Sequence, residues 1–250
     1  MRPEHILVIS LISCLVRSPC PKEFVDAGDD VCLMAIEISV SFCKAHSVCY
    51  ETGRRLDHPM FMIGKHSERL FQHFSNLPVV HTGINSLLEG TDYSPVGWRV
   101  SDPGESAFLT DKTTITHWAP KQPNGRDQQI VEFMSGAFYD TTPNQRPRYV
   151  VCELVKNVRL PRSAGERFKS SWPTVLSEQF ATFEHGCFNE KTALTTLHCA
   201  FRCKLNDVCR SFYYDPPSRT CYLTLFVDSI LPVDAERITS NWIRFGATER

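Results

Sequence analysis

Apolar positions along the chain repeat with two different periods, and the periods sort it into helices and strands. Ile38, Phe42, Ala45 and Cys49 step by four, three and four, which puts them on one helical face and predicts a helix ending near Gly53. Ser67 to Leu77 predicts a second helix, with Leu70, Phe71 and Phe74 on one side. The pattern then changes to short apolar runs bounded by turn residues, predicting strands at Val79 to Ile84, Trp98 to Val100, Gln129 to Phe133 and Arg148 to Leu154. Helical spacing returns at Thr192, Thr196, Cys199 and Cys203, with Asn189 as a cap. Two further strands, Arg210 to Tyr214 and Thr220 to Val227, are joined by the turn Asp215-Pro216-Pro217-Ser218. Few helices among many short strands predict an α+β chain.

Composition narrows the class. With 250 residues, 42% hydrophobic and 22% charged, the chain is an ordinary folded one of one or two domains, which excludes disorder, collagen and coiled coil. Its 27 Lys+Arg against 28 Asp+Glu lack the basic excess of a dedicated nucleic-acid binder. Eleven cysteines with no CxxC pair point to a disulfide framework in an oxidising compartment. The start agrees: Arg2 and His5, the apolar run Ile6 to Val16, then Arg17, Ser18 and Pro19 read as a secretory signal peptide over residues 1–18. That run is far shorter than the ~20 residues of a spanning helix, and no later segment approaches that length. The expectation is a secreted, extracellular protein without membrane insertion. Cys14 leaves with the leader, and the remaining ten cysteines are an even set.

The ten fall into two groups, Cys20, Cys32, Cys43, Cys49 and Cys152, then Cys187, Cys199, Cys203, Cys209 and Cys221. Between them, Arg146 to Lys169 carries seven Lys/Arg with Pro147 and Pro161, the composition of a solvated connector. This organisation predicts a first domain over 19–155, a basic linker over 156–171 and a second domain over 172–250. The connector charges, Arg159, Arg162 and Arg167 among them, are read as hydrating a linker in preference to holding sulfated polysaccharide. Cys43 lies about 100° round the helix from Phe42 and roughly 9 Å along it from Cys49, so it cannot bond Cys49. Catalytic signatures are lacking: there is no HExxH, GxSxG or phosphate-binding glycine loop, and no catalytic residue is assigned. The chain is read as a binding protein and not an enzyme.

Phe42, Ala45, Cys49 and Gly53, then His81-Thr82-Gly83-Ile84-Asn85, Trp98, Trp118, Gln122-Pro123-Asn124, Phe138-Tyr139-Asp140 and Tyr149-Val150-Val151-Cys152-Glu153 follow one another in a recognisable order. Over residues 20–154 this order resembles the C-type lectin-like domain. The resemblance implies two helices, antiparallel sheets and a long loop region, with disulfides Cys49–Cys152 and, closing an N-terminal hairpin, Cys20–Cys32. Ile130 and Pro143 stand where that family has an inner disulfide. The run Cys199-x-x-x-Cys203-x5-Cys209-Arg-Ser-Phe-Tyr-Tyr with Cys221-Tyr-Leu resembles the PAN/apple domain over about 172–248. That implies a small helix-on-antiparallel-sheet module with Cys199–Cys221 and Cys203–Cys209. Cys43 and Cys187 are left, and an interdomain bond, pairing between molecules or two free thiols would each account for them.

The lectin resemblance also implies a calcium and sugar site. Calcium takes roughly six to eight hard oxygens, and its affinity rises with ligand charge. Gln122 and Asn124 stand at the amide positions, Pro123 where the family uses a cis peptide, and Asp140 at the aspartate. Gln128 replaces the following acid in a loop shortened by two residues, Asp127 is a second charge if that loop slips by one, and Tyr139 replaces an asparagine. Such a site binds calcium weakly or not at all. Gln-Pro-Asn matches neither the mannose-type Glu-Pro-Asn nor the galactose-type Gln-Pro-Asp, and Trp118, Phe138 and Tyr139 are the aromatics available to a sugar ring. The expected partner is a glycan or glycoprotein. The alternative is an adhesive protein using both domains for contacts with extracellular proteins.

Overall fold

The computed structural model describes residues 20–88, 93–105, 108–155, 168–170, 186–231 and 242–247. The predicted leader and nearly all of the predicted linker, including Arg159, Arg162 and Arg167, lie outside these residues. Helix α1 spans Phe42–Leu56 and buries Phe42, Ala45, His46, Val48, Cys49 and Gly53. Ile38, predicted on its face, precedes the helix, where its N–H donates to Arg148 O at 2.9 Å. Gly53 does not end the helix either: the turn comes at Asp57, with φ of 55°. The glycine serves close approach, since a Cβ there would sit 2.7 Å from both His58 O and Met60 N. Arg54 and Arg55 in the last turn suit the negative end of the helix dipole. The second predicted helix is shorter than its pattern, a 3-10 turn at Ser67–Arg69 followed by α2 at Leu70–His73.

The first sheet contains β1 (Val25–Asp26), β2 (Cys32–Glu37), β3 (Met60–Met62), β4 (Val79–Asn85), β5 (Arg99–Val100), β6 (Ile130–Met134), β7 (Ala137–Thr141) and β8 (Tyr149–Leu154). The order is β1-β2-β8-β4-β6-β7, with β3 also on β8 and β5 on β4. All pairs are antiparallel except β4 with β8. Strand β7 carries Phe138-Tyr139-Asp140 and was not anticipated as a strand. One core holds Trp98, Phe133, Phe138, Leu33 and Ile63; another holds Phe42, Cys49, Met62, Val150 and Ile130. Ile130 is fully buried there, so side-chain packing fills a position where the lectin resemblance has a cysteine.

The second sheet runs β10 (Phe188–Thr192), β12 (Thr220–Leu225), β11 (Cys209–Asp215), β13 (Ile243–Ala247) and β9 (Phe168–Ser170), all antiparallel. Strand β9 takes residues 168–170 out of the predicted connector and places them on this sheet. Helix α3 (Thr196–Lys204) starts later than predicted. Asn189 and Thr192 belong to β10, and the cap is Thr195, whose side chain accepts from His198 N–H at 3.1 Å. Cys199 and Cys203 bury α3 against Phe212, Tyr214 and Leu223. The opposite face leaves Leu197, Phe201 and Leu205 exposed at 79%, 57% and 68%. Among the described residues, no helix is long and apolar enough to cross a membrane.

Among the described residues five disulfides form: Cys20–Cys32, Cys43–Cys187, Cys49–Cys152, Cys199–Cys221 and Cys203–Cys209. Cys43–Cys187 joins the two sheets' units, and Cys187 and Val227 enter the core built on Phe42 and Met62. Around this bond the His46 ring stacks on Phe226, with centroids 5.4 Å apart and planes at 9°. Ile230 N–H donates to Leu87 O at 2.9 Å, and the Arg210 guanidinium donates to Phe226 O, Ser101 O and Asp102 O.

Two outcomes follow from this junction. Burial, aided by the charges of His81 and Arg210, holds His46 well below its ordinary 6.5. The unfolded chain therefore binds a proton that the folded one excludes, and stability falls as pH drops below about 6.5. In denaturant melts between pH 7 and pH 5, His46→Gln should flatten that fall relative to the parent; parallel slopes would refute the account. Replacing Cys43 and Cys187 together by Ser should cost about 4 kcal/mol by the loop-closure rule, because Cys49–Cys152 shortens the closed path to roughly 40 residues. Equilibrium unfolding measures this, and a loss under 1 kcal/mol would mean that packing alone holds the junction.

Candidate functional site

Local backbone pairing shapes the loop that carries the predicted site. Phe138 N–H donates to His117 O and Ala119 N–H to Phe138 O, both at 2.9 Å, so the strip through Trp118 is fixed along β7. The chain then turns with Gln122 N–H donating to Ala119 O at 3.0 Å, and the Gln122–Pro123 peptide is cis. Asp140 closes the loop: its Oδ2 accepts from the N–H groups of Asn124 at 2.9 Å and Gly125 at 2.8 Å. Gln128 folds over Gly125, where a Cβ would stand 2.3 Å from Gln128 Oε1, so only glycine admits that side chain.

This arrangement gathers Gln122, Asn124, Gln128 and Asp140 around one loop, with Asp127 near enough for its charge to act on Asp140. Burial raises the Asp140 carboxyl above its ordinary value; the two N–H donors oppose the rise and the Asp127 charge adds to it. Asp140 is 4% exposed, whereas Asn124 and Asp127 are exposed. Three buried oxygens, Gln122 Oε1, Gln128 Oε1 and Asp140 Oδ1, have no hydrogen-bond partner among the described residues. Buried acceptors without donors are costly. An oxygen set with two carboxylates fits a hard cation of calcium's class, although its charge is low for tight binding. Tyr139 falls on the opposite pleat from Asp140 and takes no part. Phe138 is fully buried and unavailable to a ligand, while Trp118 is half-buried, 5.6 Å from the Trp98 ring.

A second cluster was not anticipated. His66, Asp102 and Glu153 bring one nitrogen and two carboxylate oxygens within 4.8 Å of one another. His66 Nδ1 lies 2.8 Å from Glu153 Oε1, and Lys65 N–H donates to both Asp102 oxygens at 3.1 Å. Burial first, then the Glu153 charge, pushes the Asp102 carboxyl up to about 7. Hydrogen bonding to Glu153 raises His66, against the effect of burial. The one signal in the sequence is Glu153 itself, a charge set between the apolar run Val150-Val151-Cys152 and Leu154.

Residues 178–237 match the family model described as PAN domain. Among solved structures, the C-type lectin CEL-I from Cucumaria echinata is similar at 16% identity and a TM-score of 0.41, covering 55% of this chain and 99% of that one. The cow C-type carbohydrate-recognition domain of CD23, solved in the presence of GlcNAc2Man3 oligosaccharide, is similar at 17% identity and 0.41, over 55% and 98%. A calcium-independent type II antifreeze protein is similar at 14% identity and 0.42, over 55% and 96%. A comparison with curated proteins yields no match. A PAN domain match over residues 178–237 thus stands beside a likeness to C-type lectin structures that spans about 55% of the chain.

Proposed function

We propose that this is a secreted recognition protein whose first unit, over residues 19–155, binds glycan through a low-affinity calcium site on the Gln122 to Asp140 loop. The observation that carries the reading is the trio of unpartnered buried oxygens, Gln122 Oε1, Gln128 Oε1 and Asp140 Oδ1, in a loop whose nearby backbone donors are committed to Asp140 Oδ2. Bound calcium would satisfy these acceptors and offer its remaining coordination positions to sugar hydroxyls. Asn124 and Asp127, on the exposed side, would complete its shell. With two carboxylates the affinity belongs at the millimolar end of extracellular sites. The work of the site is binding, with no bond made or broken.

A second reading has its own observation. Leu197, Phe201 and Leu205 repeat every four residues on the outer face of α3, and neighbouring Leu194 is 65% exposed. Such a row on a secreted module suits a protein partner. This adhesive reading needs no metal and assigns recognition to the second unit.

Calcium titrated to ~10 mM should change the fluorescence of Trp118, which lies on the same loop, with a millimolar midpoint. Asp140→Asn should remove the response and, with it, retention on glycan arrays. A flat titration with blank arrays would eliminate the calcium-dependent glycan reading. The adhesive reading expects binding to immobilised extracellular matrix proteins that survives Asp140→Asn but drops at least tenfold in the Leu197→Ser/Phe201→Ser double variant. Equal binding by that variant would eliminate it.

A further inference from the structure

Glu153 lies in the middle of the first sheet's pairing, opposite Leu33 on β2 and Phe61 on β3. A carboxylate in that setting needs a strong partner, because an isolated buried charge is costly. His66 supplies one hydrogen bond to Oε1, but Glu153 Oε2 is buried with no hydrogen-bond partner among the described residues, and the side chain is 7% exposed. Asp102 stands beside it, 4% exposed, oriented by the Lys65 N–H. A side chain on Gly64 would exclude that carboxylate, since a Cβ there would be 1.9 Å from Asp102 Oδ2. The nearby cations are engaged elsewhere: Lys65 Nζ is 2.8 Å from Glu105, and the Arg210 guanidinium donates to backbone carbonyls, Asp102 O among them. Among the described residues, two buried carboxylates therefore share a single imidazole, and the local charge favours a divalent cation.

We propose that His66, Asp102 and Glu153 form a zinc site separate from the Gln122 to Asp140 loop. Imidazole nitrogen and carboxylate oxygen are both zinc donors, and three protein ligands leave a fourth position for water. Calcium favours six to eight oxygens and has no preference for imidazole. Donors about 2.1 Å from a tetrahedral ion stand roughly 3.4 Å apart, so the present separations, at most 4.8 Å, close with small side-chain rotations. His66 is the access side, its side chain 40% exposed, while both carboxylates are held by backbone on β8 and after β5. Because Arg210 of the second unit grips the same 101–102 segment, metal here also braces the contact between the units.

The test uses the full disulfide-bonded protein after chelator treatment. Zinc uptake is followed by competition with a chromogenic indicator, and the visible spectrum is recorded with Co2+ in place of zinc. The proposal expects one zinc equivalent whose affinity falls at least tenfold in Glu153→Gln and in His66→Gln. Asp140→Asn should leave it unchanged, so this outcome is independent of the glycan site. Because Glu153 is buried, Asp102→Asn serves as a further variant, and near-UV circular dichroism identifies any variant that has lost its fold. Absence of zinc uptake by the parent up to ~1 mM, uptake unchanged in folded His66→Gln and Asp102→Asn, or tighter retention of Ca2+ than of zinc at these residues would overturn the assignment.

Discussion

Helix α1 is bonded covalently on two sides. Cys49 ties it to Cys152 in β8, a strand that is itself paired with β2, β3 and β4, while Cys43 ties it to Cys187, immediately before β10 of the second sheet. Six residues of helix, roughly 9 Å, separate the two cysteines, and their bonds leave on different faces. The face with Cys43 also carries His46 and Tyr50, three and seven residues on, and both rings meet Phe226. The cross-link and the aromatic contact are therefore one stripe of one helix. The Gln122 to Asp140 loop, the His66 cluster and the second sheet are all placed relative to a helix that cannot rotate without breaking one bond or the other.

How much of this could be read in advance depends on how local each cause is. Phe42, Ala45 and Cys49 announced the buried face of α1 because helical spacing alone decides it. The ends of the helix did not follow, since Gly53 is required by an approach from His58 and Met60 that only the folded sheet creates. The same limit applies to α3, where a β-strand pairing with Thr220 to Thr224 claims Asn189 and Thr192 before the helix starts. The stripe Cys43, His46 and Tyr50 has helical spacing too, but it borders a polar face and makes sense only once Phe226 is in place.

The two clusters differ in the same way. Gln122, Pro123, Asn124 and Asp140 converge because the loop after Trp118 stays beside β7, whose Asp140 accepts from its N–H groups. Gln128 joins them by folding onto Gly125, a compaction that no spacing announces. His66 and Glu153 are 87 residues apart, and Lys65, which orients Asp102, is 37 residues from it. Only strand register brings such residues together. The lone charge at Glu153 hinted that something would meet it, without saying what.

Strand β2 of the first unit's opening hairpin and its last strand, β8, are antiparallel neighbours, with Leu33 opposite Glu153. The polypeptide thus enters and departs on adjacent strands inside the sheet, as a cassette does. A circular permutation that joins those neighbouring ends would keep the strand pairing of the first sheet. Cys43, with the Phe226 and Arg210 contacts near it, breaks the symmetry of that arrangement: together they make an otherwise portable module dependent on one particular downstream neighbour.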